Sequence, residues 1–262
     1  MCYFSGAAKP TGGVHMIVKE ITAKSVLSKS QVYDYAMNPY RGCAHGCRYC
    51  YAAFMRRFTG HREPWGEFVD VKINAPELLA KEIKRKPMGR VWVSGVCDSY
   101  QPVEKDYRLT RQCLEVLFGA GWPVTVQTKS SLVLRDIDLL RTARDVEVGF
   151  SITTADEKIR QIFEPGASPV QDRIDTLKTL HEQGIKTFAM IAPILPGAEK
   201  LPDALAGMVD YVLVDRLNYH YANRVYREQH LAWALENRFF METARKLTDG
   251  FQRKGIPLQL VF

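Results

Sequence analysis

The sequence predicts an α/β fold built on a parallel sheet, and three observations carry that reading. Apolar runs of strand length alternate with stretches of helical periodicity about six times along the 262 residues. Those runs are apolar on successive residues, as strands covered on both faces require. No internal sequence repeat interrupts the series. Six units are fewer than a closed eightfold barrel uses, which leaves a partial six-unit barrel or a doubly wound sheet; both place chemistry at the carboxyl ends of their strands.

Residues 1–15 are rich in glycine and small side chains and lack hydrophobic period, so a flexible leader is expected there. A first strand is expected over Tyr33 to Met37, followed by strands over Val91–Val96, Val124–Thr128, Val146–Ser151, Thr187–Ile191 and Tyr211–Val214. Between them, Asn74 can cap a helix that has Pro76 in its first turn and places Leu79 and Ile83 on one face. Ser168-Pro169 starts another helix, whose apolar face is Val170, Ile174, Leu177 and Leu180 and whose left-handed cap is Gly184. Phe240, Ala244, Leu247 and Phe251 repeat such a face near the end.

Hydrophobic residues at 46% and charged residues at 25% are globular averages, which excludes collagenous, disulfide-scaffold and wholly disordered chains. Neither an apolar run of about 18 residues nor a secretory pattern is present, so no membrane partner and a cytoplasmic location are expected. A net charge of +7 suits a polyanion without requiring one. The organisation expected is one domain over 16–262, with a core about 30–218 and a C-terminal helical extension over 219–262.

Three of the six cysteines, Cys43, Cys47 and Cys50, fall in one glycine-punctuated loop at spacing C-x3-C-x2-C. In a cytosolic chain such a window indicates metal or redox chemistry ahead of disulfides. A structural zinc ion needs a fourth ligand, for which His45 is the only local candidate, cramped between two of the others. A cubane iron-sulfur cluster on three thiolates leaves one iron open to a ligand.

With Tyr49 ahead of the last cysteine, this spacing resembles the signature of the radical S-adenosylmethionine (SAM) superfamily. The surrounding NPYRGCAHGCRYCYA (38–52) resembles its spore photoproduct lyase branch, the DNA repair photolyase-like proteins. The likeness continues through SGVCDSYQPVE (94–104), VQTKS (126–130), FSITT (150–154), FEPGASPVQDR (163–173) and IAPILPG (191–197).

The resemblance implies a partial (βα)6 radical-SAM barrel with an N-terminal cluster loop. It implies a [4Fe-4S] cluster held by Cys43, Cys47 and Cys50, with SAM chelated to the open iron. An electron passed to the sulfonium then gives a 5′-deoxyadenosyl radical that takes a hydrogen atom from the substrate. Tyr49 is implied to lie against the adenine, Lys129 and Ser99 near the methionine carboxylate, Ser151 near the ribose, and Ala192 at the adenine edge. Cys97 is similar to the cysteine that in the lyase returns a hydrogen atom to the product radical, and Tyr51 to a tyrosine of the same relay. The implied activity is a carbon-carbon lyase that repairs a thymine lesion, with DNA and an electron donor such as flavodoxin or ferredoxin as partners. The rivals are radical modification of a peptide, RNA or small metabolite, and a non-enzymatic zinc-held nucleic-acid-binding module.

Each residue also has an ordinary reading. Cys97 and Cys113 suit buried apolar positions, and His181 a structural one. Glu164 and Arg173 are a turn acid and a solvated arginine by default, active-site neighbours by resemblance. Tyr219, His220 and Tyr221 follow the last strand at the mouth. Arg41, Arg48, Arg56, Arg57 and Arg62, interleaved with Tyr51, Phe54 and Phe58, could grip phosphates or form a solvated face. With only Cys2, Cys97 and Cys113 left over, no auxiliary cluster is expected.

Overall fold

The computed structural model of the protein describes residues 16–261, so the leader expected over 1–15, with Cys2, lies outside the described residues. Its strands are β1 (Ile17–Ile21), β2 (Leu27–Lys29), β3 (Tyr35–Met37), β4 (Tyr40–Arg41), β5 (Phe68–Lys72), β6 (Val91–Val93), β7 (Val124–Thr128), β8 (Val146–Ser151), β9 (Lys186–Ile191), β10 (Tyr211–Val214) and β11 (Leu258–Leu260). The main sheet runs β11-β10-β9-β8-β7-β6-β3-β2. From β3 through β10 every neighbouring pair is parallel and follows chain order. A doubly wound sheet reverses its order at a switch point. The unreversed order selects the partial barrel, with β11 added in parallel at one end and β2 antiparallel at the other.

The expected helix faces are buried. Leu177 and Leu180 of the helix Val170–Glu182, and Leu247 and Phe251 of Asn237–Arg253, join the same core as β6 through β10. Cys113 is buried in the helix Leu109–Gly119, as its ordinary reading holds. Asn74 precedes the helix Ala75–Glu82 but does not cap it: its side-chain amide pairs with both backbone groups of Ala23 instead.

Two boundaries need correction. The strand expected to reach Val96 ends at Val93, because the Ser94 hydroxyl donates to the Cys97 carbonyl and the Val96 N–H donates to Asn38 Oδ1, folding the chain into a turn. The strand expected from Tyr33 begins at Tyr35. A second, three-stranded sheet, β1-β5-β4, was not foreseen. It places β4 two residues ahead of Cys43 and clamps it antiparallel to β5. Among the described residues no helix is long and apolar enough to cross a membrane.

Candidate active site

The cysteine loop is held from two sides by the motifs that flank it in space. Gln101, fully buried, accepts from the Ala44 N–H at 2.8 Å and donates to the Gly42 carbonyl at 3.2 Å. On the other side, Arg48 N–H donates to the Phe163 carbonyl and Gly166 N–H to the His45 carbonyl. Gly42 has φ +90°, and a Cβ there would lie 2.4 Å from the Phe68 carbonyl oxygen on β5, so the loop passes over the small sheet at a distance only glycine permits.

Cys43, Cys47 and Cys50 open into one cavity of about 480 Å³ at the carboxyl ends of the parallel strands. All three are free thiols. Burial pushes the Cys47 thiol up to about 12, against the opposing charge of Lys129, and raises Cys43 and Cys50 as well. Among the described residues no three Cys, His, Asp or Glu side chains close on a single-ion centre. His45, the candidate fourth zinc ligand, is buried with Nδ1 3.3 Å from Asp98 Oδ2. Three thiols that share a cavity without meeting at one point fit a cube, which takes each thiolate at a different iron.

Nine of the ten residues singled out in the sequence line this cavity: the three cysteines, Tyr49, Tyr51, Cys97, Lys129, Ser151 and Ala192. Lys129 follows β7 and stands with Nζ 5.8 Å from the centre of the Tyr49 ring. The Tyr49 hydroxyl donates to Glu164. Ser151 ends β8, its Oγ accepting from Gln127 and its carbonyl from Arg173. Ser99 is the exception. It is buried outside the cavity lining, where its carbonyl accepts from Thr110, and the neighbouring Asp98 faces the cavity instead. Burial would raise the Asp98 carboxyl, but His45, the Lys129 N–H and the Thr128 hydroxyl outweigh it and hold the group well below its ordinary range.

Glu164 and Arg173 are neither a turn acid nor a solvated arginine: both are buried, 2.6 Å apart, behind Tyr49. Sequence reasoning also missed the role of the chain after β10. Tyr226 packs against Phe163 at 4.6 Å, and with Ala222 and Ala234 it forms an apolar cluster that includes Cys47 and Tyr49. The spacing of Ala222 and Tyr226, four apart, was the available signal.

The sequence model of the radical SAM superfamily matches residues 37–200. This chain belongs to that superfamily. As a radical SAM enzyme it uses a [4Fe-4S] cluster and SAM, and membership replaces the zinc-held module as a reading of the cysteine loop. The enzyme is 39% identical over 180 residues to the uncharacterized protein MJ0683 of Methanocaldococcus jannaschii, covering 68% of this chain and 67% of that one. A radical SAM Nα-GlyT isomerase of Pseudomonas phage M6 is 29% identical over 161 residues, 61% of this chain and 33% of the phage protein. Among solved structures, spore photoproduct lyase complexed with dinucleoside spore photoproduct superposes with a TM-score of 0.67 at 18% identity, over 93% of this chain and 82% of the lyase. Streptococcus suis SuiB bound to its precursor peptide SuiA superposes at 0.52 and 13% identity, over 94% of this chain and 49% of SuiB. At such identities the structural likeness shows the fold.

Proposed function

We propose that this radical SAM enzyme acts as a spore photoproduct lyase-like carbon-carbon lyase on a thymine lesion in DNA. In this reading Cys43, Cys47 and Cys50 hold the cluster, and Tyr49, Lys129, Ser151 and Ala192 hold SAM. When bound, the two together supply a carbon-centred radical able to take a hydrogen atom from the substrate. An electron donor of the flavodoxin or ferredoxin type supplies the reducing equivalent.

The observation that carries the reading is a neutral thiol in the wall of the same cavity. Burial pushes Cys97 up to about 11, against the opposing effects of Ser94 and Lys72, so at neutral pH the group is S–H. Its sulfur lies 3.5 Å from Ser94 Oγ and 3.8 Å from Asn38 Oδ1. A thiol keeps the hydrogen atom that a thiolate lacks, which is what returning hydrogen to a product radical requires. Tyr51 lies close enough that Cys97 helps raise its hydroxyl, which burial chiefly pushes up to about 12. The fold shared with a lyase bound to a dinucleoside lesion supports the same substrate class.

The test is anaerobic reconstitution followed by reaction with an oligonucleotide carrying spore photoproduct. Restoration of two adjacent thymines within the strand and deuterium exchange between lesion and 5′-deoxyadenosine are expected. Cys97→Ala should still cleave SAM but divert the product, and unchanged product from that variant removes Cys97 from the mechanism. Deuterium transfer from a peptide, RNA or small metabolite, with none from the lesion, overturns the DNA assignment.

A further inference from the structure

Three tyrosines form a continuous stack that begins in the cavity wall and ends outside it. Tyr51 and Tyr219 lie 6.2 Å apart at 23°, and Tyr219 and Tyr221 lie 5.9 Å apart at 5°. Tyr51 and Tyr219 line the cavity, whereas Tyr221 does not. The three residues are 39%, 49% and 50% exposed, so aromatic surface of the stack stays open to water.

Cations flank the stack along the chain, around Tyr51 and ahead of Tyr219, with Asp215 the acidic neighbour of Arg216 in the cavity lining. Arg41 is engaged by Asp70, but Arg48, Arg56 and Arg57, all exposed, have no carboxylate partner among the described residues. Arg216, exposed in the cavity rim, lacks one too. Arg57 lies over the rings of Phe54 and Phe58 at 5.8 and 5.6 Å. Exposed aromatics and guanidinium groups without carboxylate partners are the two components of a site that takes unpaired nucleotides: rings for the bases and cations for the backbone. A duplex hides its base faces, so it can use the cations but not the rings.

From this we infer that the Tyr51-Tyr219-Tyr221 stack is a landing strip for single-stranded DNA, which guides an unpaired base from Tyr221 inward to the cavity. The inference deepens the proposed DNA substrate, and its test needs no lesion chemistry. The reconstituted enzyme is titrated with a fluorescent thymidine 12-mer, with the same strand in duplex form, and with an abasic strand of equal length. The thymidine strand is expected to bind more tightly than either control.

Tyr221→Ala should weaken the thymidine strand by about 5- to 150-fold and leave the abasic strand unchanged. Tyr221→Phe keeps the ring and should retain the binding, which separates stacking from a disturbed turn. Equal affinity for thymidine and abasic strands, or equal weakening of both by Tyr221→Ala, overturns the inference, because charge alone then explains binding. So does a phenylalanine variant that falls with the alanine one. Binding of the thymidine strand without lesion turnover would instead sink the lyase reading and leave the landing strip standing.

Discussion

Glu164 and Arg173 face each other across 2.6 Å with side chains 0% and 1% exposed, and the pair ties two walls of the candidate site together. Glu164 also accepts from the Tyr49 and Thr153 hydroxyls, while Arg173 donates to the carbonyls of Ser151 and Ser168. The pair is a charge contact without hydrogen-bond alignment, since Glu164 Oε2 and Arg173 Nη2 lack aligned partners. Removing one member strands a buried charge, which typically costs about 3–5 kcal/mol. Arg173→Met is therefore expected to lower the denaturation free energy by that amount. Adding Glu164→Gln should return part of it, a coupling readable by a double-mutant cycle in urea.

The same pair sets an acid limit. Burial would raise the Glu164 carboxyl, but Arg173, Lys129 and the Tyr49 hydroxyl outweigh it and hold the group below its ordinary value. A carboxyl with a lowered folded pKa contributes its stability in full above the unfolded value, about 4.3, and loses it as pH falls through the folded value. Urea midpoints measured from pH 6 down to 3 should decline at the acid end in the wild-type protein. Without Arg173 the folded pKa of Glu164 rises, so that decline should become shallower or reverse in Arg173→Met; superimposable profiles would remove Glu164 from the acid limit.

Much of this architecture could be read from composition and period, because strands buried on both faces write themselves as unbroken apolar runs such as Val124–Thr128 and Val146–Ser151. Strand order could not be read, since it depends on pairings between distant segments that no local pattern records. The small sheet escaped because β1 is exposed at its three central residues and carries no strong apolar signal. Ser99 lies outside the cavity lining because the turn after β6 brings Asp98 to it instead, and that turn is closed by Asn38 from the short loop after β3. The cysteine loop was legible since its ligand spacing is local. Its fastening by Gln101 and Gly166 was not, because those contacts reach 57 residues or more along the chain.

Lys129 should govern cluster loading. Its charge opposes the burial that raises the Cys47 and Cys50 thiols, so removing it should push both higher still. Thiols must lose their protons to bind iron. Lys129→Met is thus expected to take up less iron at pH 7 and to recover toward pH 9, with Lys129→Arg close to wild type. Iron analysis across that range is the check, and a Met variant with the wild-type profile would show that the lysine does not act on the thiols.

Iron should number about four per reconstituted chain, as one [4Fe-4S] cluster supplies. The remaining thiols of the described residues are Cys113, buried in the core, and Cys97 in the cavity wall. Cys47→Ala should lose the cluster absorbance together with SAM cleavage, whereas Cys113→Ala should keep both. A content near eight in the wild-type protein would demand a second cluster and a different role for the remaining cysteines.

Gly166 tests whether the FEPG turn holds the cysteine loop in place. Its N–H donates to the His45 carbonyl at 3.0 Å, and a Cβ would stand 2.3 Å from the Ala44 carbonyl oxygen and 3.0 Å from His45 Cα. Both obstacles are backbone of the cysteine loop, so no side-chain rotation relieves them. Gly166→Ala must push the loop outward, at a cost on the scale of overpacking, about 1–3 kcal/mol. Less iron per chain and a lower melting temperature are expected together. Gly119→Ala is the matched control: with no atom within 4 Å of the added methyl, it gains helix propensity and should hold as much iron as wild type. Full iron loading in Gly166→Ala would mean that the loop is positioned by Gln101 and the small sheet alone.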